Sequence, residues 1–374
     1  MAFGLSKGKI SPIAIDFGAD SLKMLQVVPG EPTQVVAAAC VPVPEAARVD
    51  PAARLSFMED AVKQQLKALP FRGKRAICAI PGFQMLIHNF CVSRCDAEDI
   101  NAMTDLALRE RLGIEPARMI IRNTHALDHH RHGEAKTDVI CMAAQREMVM
   151  QYLQLAGRAK LEVLGMHPEP QATVKALEPE KRGEAVTQCL IDLGCATTKV
   201  MVANGGTLRL AKTINAGGES RIRRIAKREN LAFADARARR VEALSQQLVG
   251  VGAGVGEGGG GGDAGGFSAD EDDLNLTDRV TATLVDELRA VRRHDRGRFP
   301  EAPIQRLVFC GGEARDAGVR DRLAACFGIS ATVADPTRGM SINPAEVDLG
   351  DTDFSQPCPE WTVAAGLCMS DANL

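Results

Sequence analysis

The chain is poor in aromatic residues, with one Trp, one Tyr and twelve Phe among 374 positions. Any core must therefore be packed from Leu, Ile, Val, Ala and Met. It also lacks an apolar run of 18 residues, so no segment reads as a membrane-spanning helix. The opening MAFGLSKGKISPIAIDFG holds too short an apolar stretch for a secretory signal. No C-x-x-C pair occurs among the eleven cysteines, and the Cys91 and Cys95 spacing is a poor metal signature. Cys78, Cys141, Cys189 and Cys310 lie instead inside apolar, strand-like runs, which predicts reduced thiols packed as small hydrophobes. An excess of one charge sign is missing too: 45 Lys and Arg face 48 Asp and Glu, a net charge of −3. That balance gives no reason to expect nucleic acid or anionic lipid as a partner. These absences point to a cytoplasmic globular protein, long enough for two or more cores.

What is present is a strand-turn-strand pattern that occurs twice. KISPIAID, FGAD and SLKMLQVV read as a hairpin, followed by the strand TQVVAAACVPV. An amphipathic helix then carries Leu55, Met58, Val62, Leu66 and Leu69 at steps of three and four, and RAICAIP reads as a buried strand. CLIDLGCATTKVMVA repeats the hairpin, with TLRLAKTI as its third strand. The triplet D-x-G occurs six times, but only Asp16 and Asp192 follow one apolar strand and precede another. DFGADSLK and DLGCATTK share D-x-G-x-x-[ST]-x-K, 176 positions apart, which marks a duplicated unit.

Such a loop suits a phosphate. Gly18 and Gly194 allow close backbone approach, and the hairpin amides point at an anion. Ser21, Thr197 or Thr198 can add a hydroxyl hydrogen bond, and Lys23 supplies positive charge. Asp16 and Asp192, one at each strand end, would hold Mg²⁺ through water. Two double glycines extend the constellation. Gly217 and Gly218 open a helix at Glu219, and Gly311 and Gly312, before Glu313, follow the strand RLVFC and allow close approach to a nucleoside or phosphate. Together these motifs predict a nucleotide cleft for ATP and Mg²⁺.

Between the repeats, residues 83–165 read as strand-helix-strand-strand-helix-strand, a small inserted subdomain. Its first helix has an Asp cap at its start, and Met119 to Leu127 and Thr137 to Ala144 form two strands joined by a polar turn. His125, His129, His130 and His132 cluster in HALDHHRH, where a solvated turn is the expectation and metal binding the alternative. A long helical stretch from Gly218 carries an Arg-rich segment from Arg221 and another from Arg237. These predict a solvated or subunit-facing helix, with Glu219 or Arg223 against a ribose as the sharper alternative. Residues 250–266 hold eleven glycines in seventeen positions, which predicts a mobile insertion.

The order of the motifs resembles the actin-like ATPase superfamily: phosphate-1 loop, phosphate-2 loop, adenosine loop. The resemblance implies an α/β, ribonuclease H-like, duplicated two-lobe fold with an inserted subdomain of the SHS2 type. It is similar within that superfamily to FtsA, and more so to the PilM family of type IV pilus platform proteins. A short basic leader precedes I-D-x-G. AKLEVLGMHPEPQA, from Ala159 to Ala172, resembles a family stretch through Glu169 and Pro170, and VAAGL, from Val363 to Leu367, resembles its closing helix. The amphipathic membrane helix that ends FtsA-like chains has no counterpart after Gly366. Three positions depart from the pattern: Ala19 and Asp20 stand where hydroxyls are usual, and His167 where Asp is usual.

The resemblance implies a first-lobe core over 1–82, completed by about 166–185 and 345–374, with 83–165 inserted. It implies a second-lobe core over 186–222 and 304–344 and a second-lobe subdomain over 223–303. It further implies a scaffold with at most weak ATPase activity, peripheral to the inner membrane. The partner would be a PilN-like bitopic membrane protein, whose N-terminal tail binds in a groove along the insertion, together with other pilus platform or motor components. A small-molecule kinase of the same superfold and an FtsA-like filament former are the alternatives.

Overall fold

The computed structural model describes residues 10–94, 97–131, 133–178, 186–240, 242, 271–350 and 352–370. The basic leader, the expected Asp96 cap, His132 and the glycine tract lie outside the described residues.

The chain opens with β1 (Ile13–Phe17), β2 (Ser21–Val28) and β3 (Gln34–Pro42), an antiparallel meander. The short α1 (Glu45–Val49) leads into α2 (Pro51–Ala68). The Asp50 side chain caps α2 by accepting from Ala52 N at 2.9 Å, and Pro51 occupies the first turn. Met58 and Val62 of the expected stripe are buried and Leu55, Leu66 and Leu69 half-buried, but Arg54 and Gln65 are buried with them. β4 (Arg75–Ile80) then pairs in parallel with β1.

β5 (Met85–Ser93), α3 (Ala97–Leu112), β6 (Met119–Arg131), β7 (Glu134–Gln145), α4 (Arg146–Arg158) and β8 (Glu162–Pro168) follow in the expected order. Only β5, β7 and β6 form the separate sheet. The fourth strand, β8, pairs in parallel with β4, and α4 lies on α2, where Tyr152 meets Phe17 with ring centroids 4.7 Å apart. The apolar face of α4 is thus shared between the first lobe and the small sheet, packing with Phe17 and Met58 on one side and Ile140 and Met142 of β7 on the other. The polar turn expected around the histidines is shorter than read. β6 continues to Arg131, so His125, His129 and His130 sit on a strand.

α5 (Glu169–Ala176) crosses to the second repeat of β9 (Thr187–Leu193), β10 (Thr198–Asn204) and β11 (Thr207–Ile214). The long helix expected next is broken. α6 (Gly218–Glu229) stops at Asn230, whose left-handed conformation (φ 52°) ends the helix, and α7 begins afresh over residues 233–240. α8 (Glu271–Arg298), β12 (Arg306–Cys310), α9 (Ala317–Ala325), β13 (Ala331–Val333), β14 (Val347–Asp348) and α10 (Thr362–Cys368) complete the order.

The two large sheets repeat one topology. The first runs β14-β3-β2-β1-β4-β8 and the second β11-β10-β9-β12-β13. Each places an antiparallel meander beside two parallel strands. α10 returns to the first lobe, burying Trp361 at its start, and crosses α5 closely: a Cβ on Gly366 would lie 1.9 Å from the Ala172 carbonyl oxygen. Every described cysteine is a free thiol, and Cys78, Cys141, Cys189 and Cys310 are buried as expected. Among the described residues no helix is long and apolar enough to cross a membrane.

Candidate functional site

The two hairpins meet at one cavity of about 360 Å³, within the range of small-molecule sites. Asp16 stands opposite Lys23 across β1 and β2, and Asp192 opposite Lys199 across β9 and β10. The registers are the same because the turns are. A Cβ on Gly18 would fall 2.8 Å from the Ser21 carbonyl oxygen, and one on Gly194 would fall 2.7 Å from that of Thr197. Both glycines are needed by the turn itself.

The charges differ. Lys23 donates to Ser21 Oγ at 2.8 Å, and Asp16 Oδ1 is buried with no hydrogen-bond partner. Burial pushes the Asp16 carboxyl up to about 7, with Lys23 and Lys199 opposing and Glu169 and Asp192 adding to the rise. In the second hairpin Lys199 donates to Asp192 Oδ2 at 2.9 Å and lies 2.6 Å from Glu169 Oε2. Burial works against the Lys199 ammonium, but Asp192 and Glu169 outweigh it and hold its proton well above the ordinary lysine range. Glu169, the first residue of α5, accepts from Gly82 N at 2.6 Å. Gly82 must be glycine here, since a Cβ would lie 2.2 Å from Lys199 Cε.

The third wall is the turn after β12. Gly311 has φ 83°, and a Cβ there would lie 2.3 Å from Asp192 Oδ1, so the turn lies directly against the second hairpin. Glu313 is gripped by Arg240 and by Arg221 at 3.3 Å, and Asp316 lies 3.2 Å from Arg240 and 3.7 Å from Arg221. Asp20 is held by Arg48 at 2.5 Å and, across the cleft, by Arg237 of α7 at 2.7 Å.

Asp16, Gly18, Ser21, Lys23, Asp192, Gly194, Thr197, Gly311, Gly312 and Glu313 all line this cavity. Thr198, Gly217, Gly218 and Glu219 do not. The Thr198 hydroxyl donates to Ala216 O at 2.7 Å. Gly218 N donates to Gly194 O at 3.1 Å and Glu219 N to Cys195 O at 2.8 Å, so the start of α6 holds the second loop from behind. Glu219 pairs with Arg223 one turn along. The Arg-rich segments are solvated only in part: Arg223 and Arg239 are exposed as expected, whereas Arg221 is 4% exposed and, with Arg240, faces acids some seventy or more positions distant. Sequence reasoning missed Lys199, Glu169, Arg237 and Arg240 as cleft residues. Lys199 was signalled by the repeat and Glu169 by the EPQA stretch; the arginines carried no local signal.

No protein-family profile matches the chain, and no curated protein does. Among solved structures, the chain is similar to a PilM-PilN type IV pilus biogenesis complex, at 17% identity with TM-score 0.72, covering 96% of this chain and 97% of that one. It is also similar to the ethanolamine utilization protein EutJ from Carboxydothermus hydrogenoformans, at 13% identity with TM-score 0.50, covering 96% and 89%. The duplicated sheets with these likenesses make the fold that of the actin-like ATPases.

Proposed function

We propose that the cleft binds ATP and that nucleotide occupancy sets the chain's affinity for a PilN-like membrane protein, as part of a pilus or related secretion assembly. The carrying observation is the pair of Asp-Gly hairpins in one register facing one cavity. In this reading the turns at Gly18 and Gly194 cradle the phosphates with Ser21, Thr197 and Lys23, and Gly311, Gly312 and Glu313 border the nucleoside. Mg²⁺ fits at Asp16, whose buried Oδ1 has no hydrogen-bond partner. At Asp192 the positive charge is already supplied by Lys199, so Asp192 is assigned no direct hold on the ion. Bound Mg²⁺ would neutralise phosphate charge, and Asp16 would hold it through water.

Further support comes from the likeness to the PilM-PilN complex, in which PilN is the partner. The lobes divide as the sheets do, with the β5-β7-β6 sheet as the inserted subdomain and the tail's groove along it. Equilibrium binding of a fluorescent ATP analogue with Mg²⁺ tests the cleft. Lys23→Ala is expected to weaken binding about tenfold or more, the value of one charge-assisted hydrogen bond. A wild type that binds no nucleotide removes the reading. Titration of a PilN-like N-terminal peptide with and without ATP tests the coupling, expected at about 5- to 150-fold. Equal affinities remove the coupling and leave nucleotide binding standing.

A further inference from the structure

Outside the cleft, a second chemical constellation lies on the inserted sheet. One face of that sheet covers α3 through Phe90, Val92, Val139, Cys141 and Ala143. The other turns toward the second lobe, where Asn89 Nδ2 donates to Ala211 O on β11 at 2.8 Å. On this second face Cys91 and Asp138 are direct partners across β5 and β7. Leu127 is the partner of Asp138 on β6, so His129, two residues on, lies diagonal to it on the same face. A register shift between His125 and Leu127 creates this placement; with unbroken pairing His129 would stand opposite Ala135 and fall on the other face of the sheet.

The three ligand atoms lie within 4.8 Å of one another. His129 Nε2 is 3.8 Å from Cys91 Sγ and 3.2 Å from Asp138 Oδ1, so a single ring nitrogen faces both other donors. Tetrahedral zinc bonds of about 2.3 Å to sulfur and about 2.0–2.1 Å to nitrogen and oxygen require separations of about 3.5 Å for S···N and about 3.3 Å for N···O. These two spacings match that requirement to within a few tenths of an ångström, and Cys91 Sγ lies within 4.8 Å of an Asp138 carboxylate oxygen. The His129 and Asp138 side chains are only 13% and 17% exposed. A cation already attends the trio: Arg298, in the last turn of α8, lies 3.2 Å from His129 Nε2 and 3.4 Å from Asp138 Oδ1. Its guanidinium satisfies the carboxylate and closes α8 onto the inserted sheet.

We propose that Cys91, His129 and Asp138 bind a divalent transition-metal ion of the zinc type, in exchange for Arg298, with water in the fourth position. Binding deprotonates the thiol, and its proton passes to solvent. The bound ion substitutes for the guanidinium, so occupancy releases the end of α8 from the inserted sheet. This site is independent of the nucleotide reading and survives its failure.

The test is titration of the full chain with Co²⁺, read by absorption. The expected result is a near-ultraviolet thiolate-to-cobalt charge-transfer band with intense visible bands of tetrahedral cobalt, both bleached by Zn²⁺. Cys91→Ser should abolish the charge-transfer band, and His129→Ala should weaken binding about 10- to 100-fold or more. Arg298→Gln removes the competing cation without touching a ligand, and it should tighten binding about tenfold. Circular dichroism of each variant establishes that it is folded. A folded wild type without the thiolate band, a band that persists in Cys91→Ser, or an Arg298→Gln variant that binds no more tightly would overturn the proposal.

Discussion

In the first hairpin Lys23 turns to Ser21 and leaves Asp16 with a buried, unpartnered oxygen; in the second, Lys199 sits between Asp192 and Glu169. The sequence pattern and the Asp-Lys register are the same in both. The difference comes from what each lysine meets beyond its own hairpin. Lys199 reaches a second carboxylate, Glu169, brought in by α5, whereas Lys23 finds a hydroxyl on its own strand. One repeat is thus a hydrogen-bonded ionic triad whose lysine is shared by two carboxylates, and the other keeps a carboxyl that can change its charge near neutrality. A duplicated motif therefore need not mean a duplicated role.

The largest expected effect is on the ionic triad. Lys199→Met strands two buried carboxylates and should cost about 3–5 kcal/mol in urea unfolding. Lys23→Met should cost no more than about 2 kcal/mol, because Asp16 can take up a proton instead. Equal costs, or the reverse order, would break the comparison.

The next effect is on the first loop's titration. The Asp16 carboxyl is raised in the folded chain, so the native state binds a proton that the unfolded state has lost, and stability falls as pH rises from the ordinary carboxylate value toward about 7. Asp16→Asn mimics the protonated form and escapes that fall. Its stability advantage over the wild type should grow by about 2–3 kcal/mol between about pH 5 and about pH 8. A constant difference across that window would mean that Asp16 is ionised throughout. The same variant should lose the Mg²⁺ dependence of nucleotide binding.

The smallest effect concerns Asp20, which has Ala196 as its counterpart in the second loop. Its charge is neutralised by Arg48 and Arg237. Asp20→Ser frees both guanidinium groups toward a phosphate and should raise nucleotide affinity about two- to fivefold, within the ~1 kcal/mol of a partly exposed pair. A fall in affinity would show that Asp20 works for the ligand, holding metal or closing the cleft through Arg237.

Much of this was legible before the fold. The strand-turn-strand repeats were readable because a hairpin's apolar alternation and its glycine are local features, confined to eight or so residues. The break at Asn230 was harder, since a left-handed Asn within an otherwise helical Arg-rich run leaves only a weak trace. The strand β8 was readable as a strand but not as a member of the larger sheet, because periodicity does not name a partner. His129 was read into a turn because the strand signal fades in HALDHHRH, and the register shift that buries it depends on β7.

The sequence by itself determined the two Asp-x-Gly hairpins, their shared register and the glycines that make the turns possible, since each is fixed by sterics within one short segment. Only the tertiary structure decided which charges meet: Lys199 with Glu169, Asp20 with Arg237, Glu313 with Arg240, and Cys91 with His129 and Asp138. Most of these groups come from separate elements, and their pairing depends on how sheets and helices pack. The physical reason is burial. Ionic and polar groups taken out of water must find partners wherever the packed chain supplies them, and distance along the sequence places no limit on which ones those are.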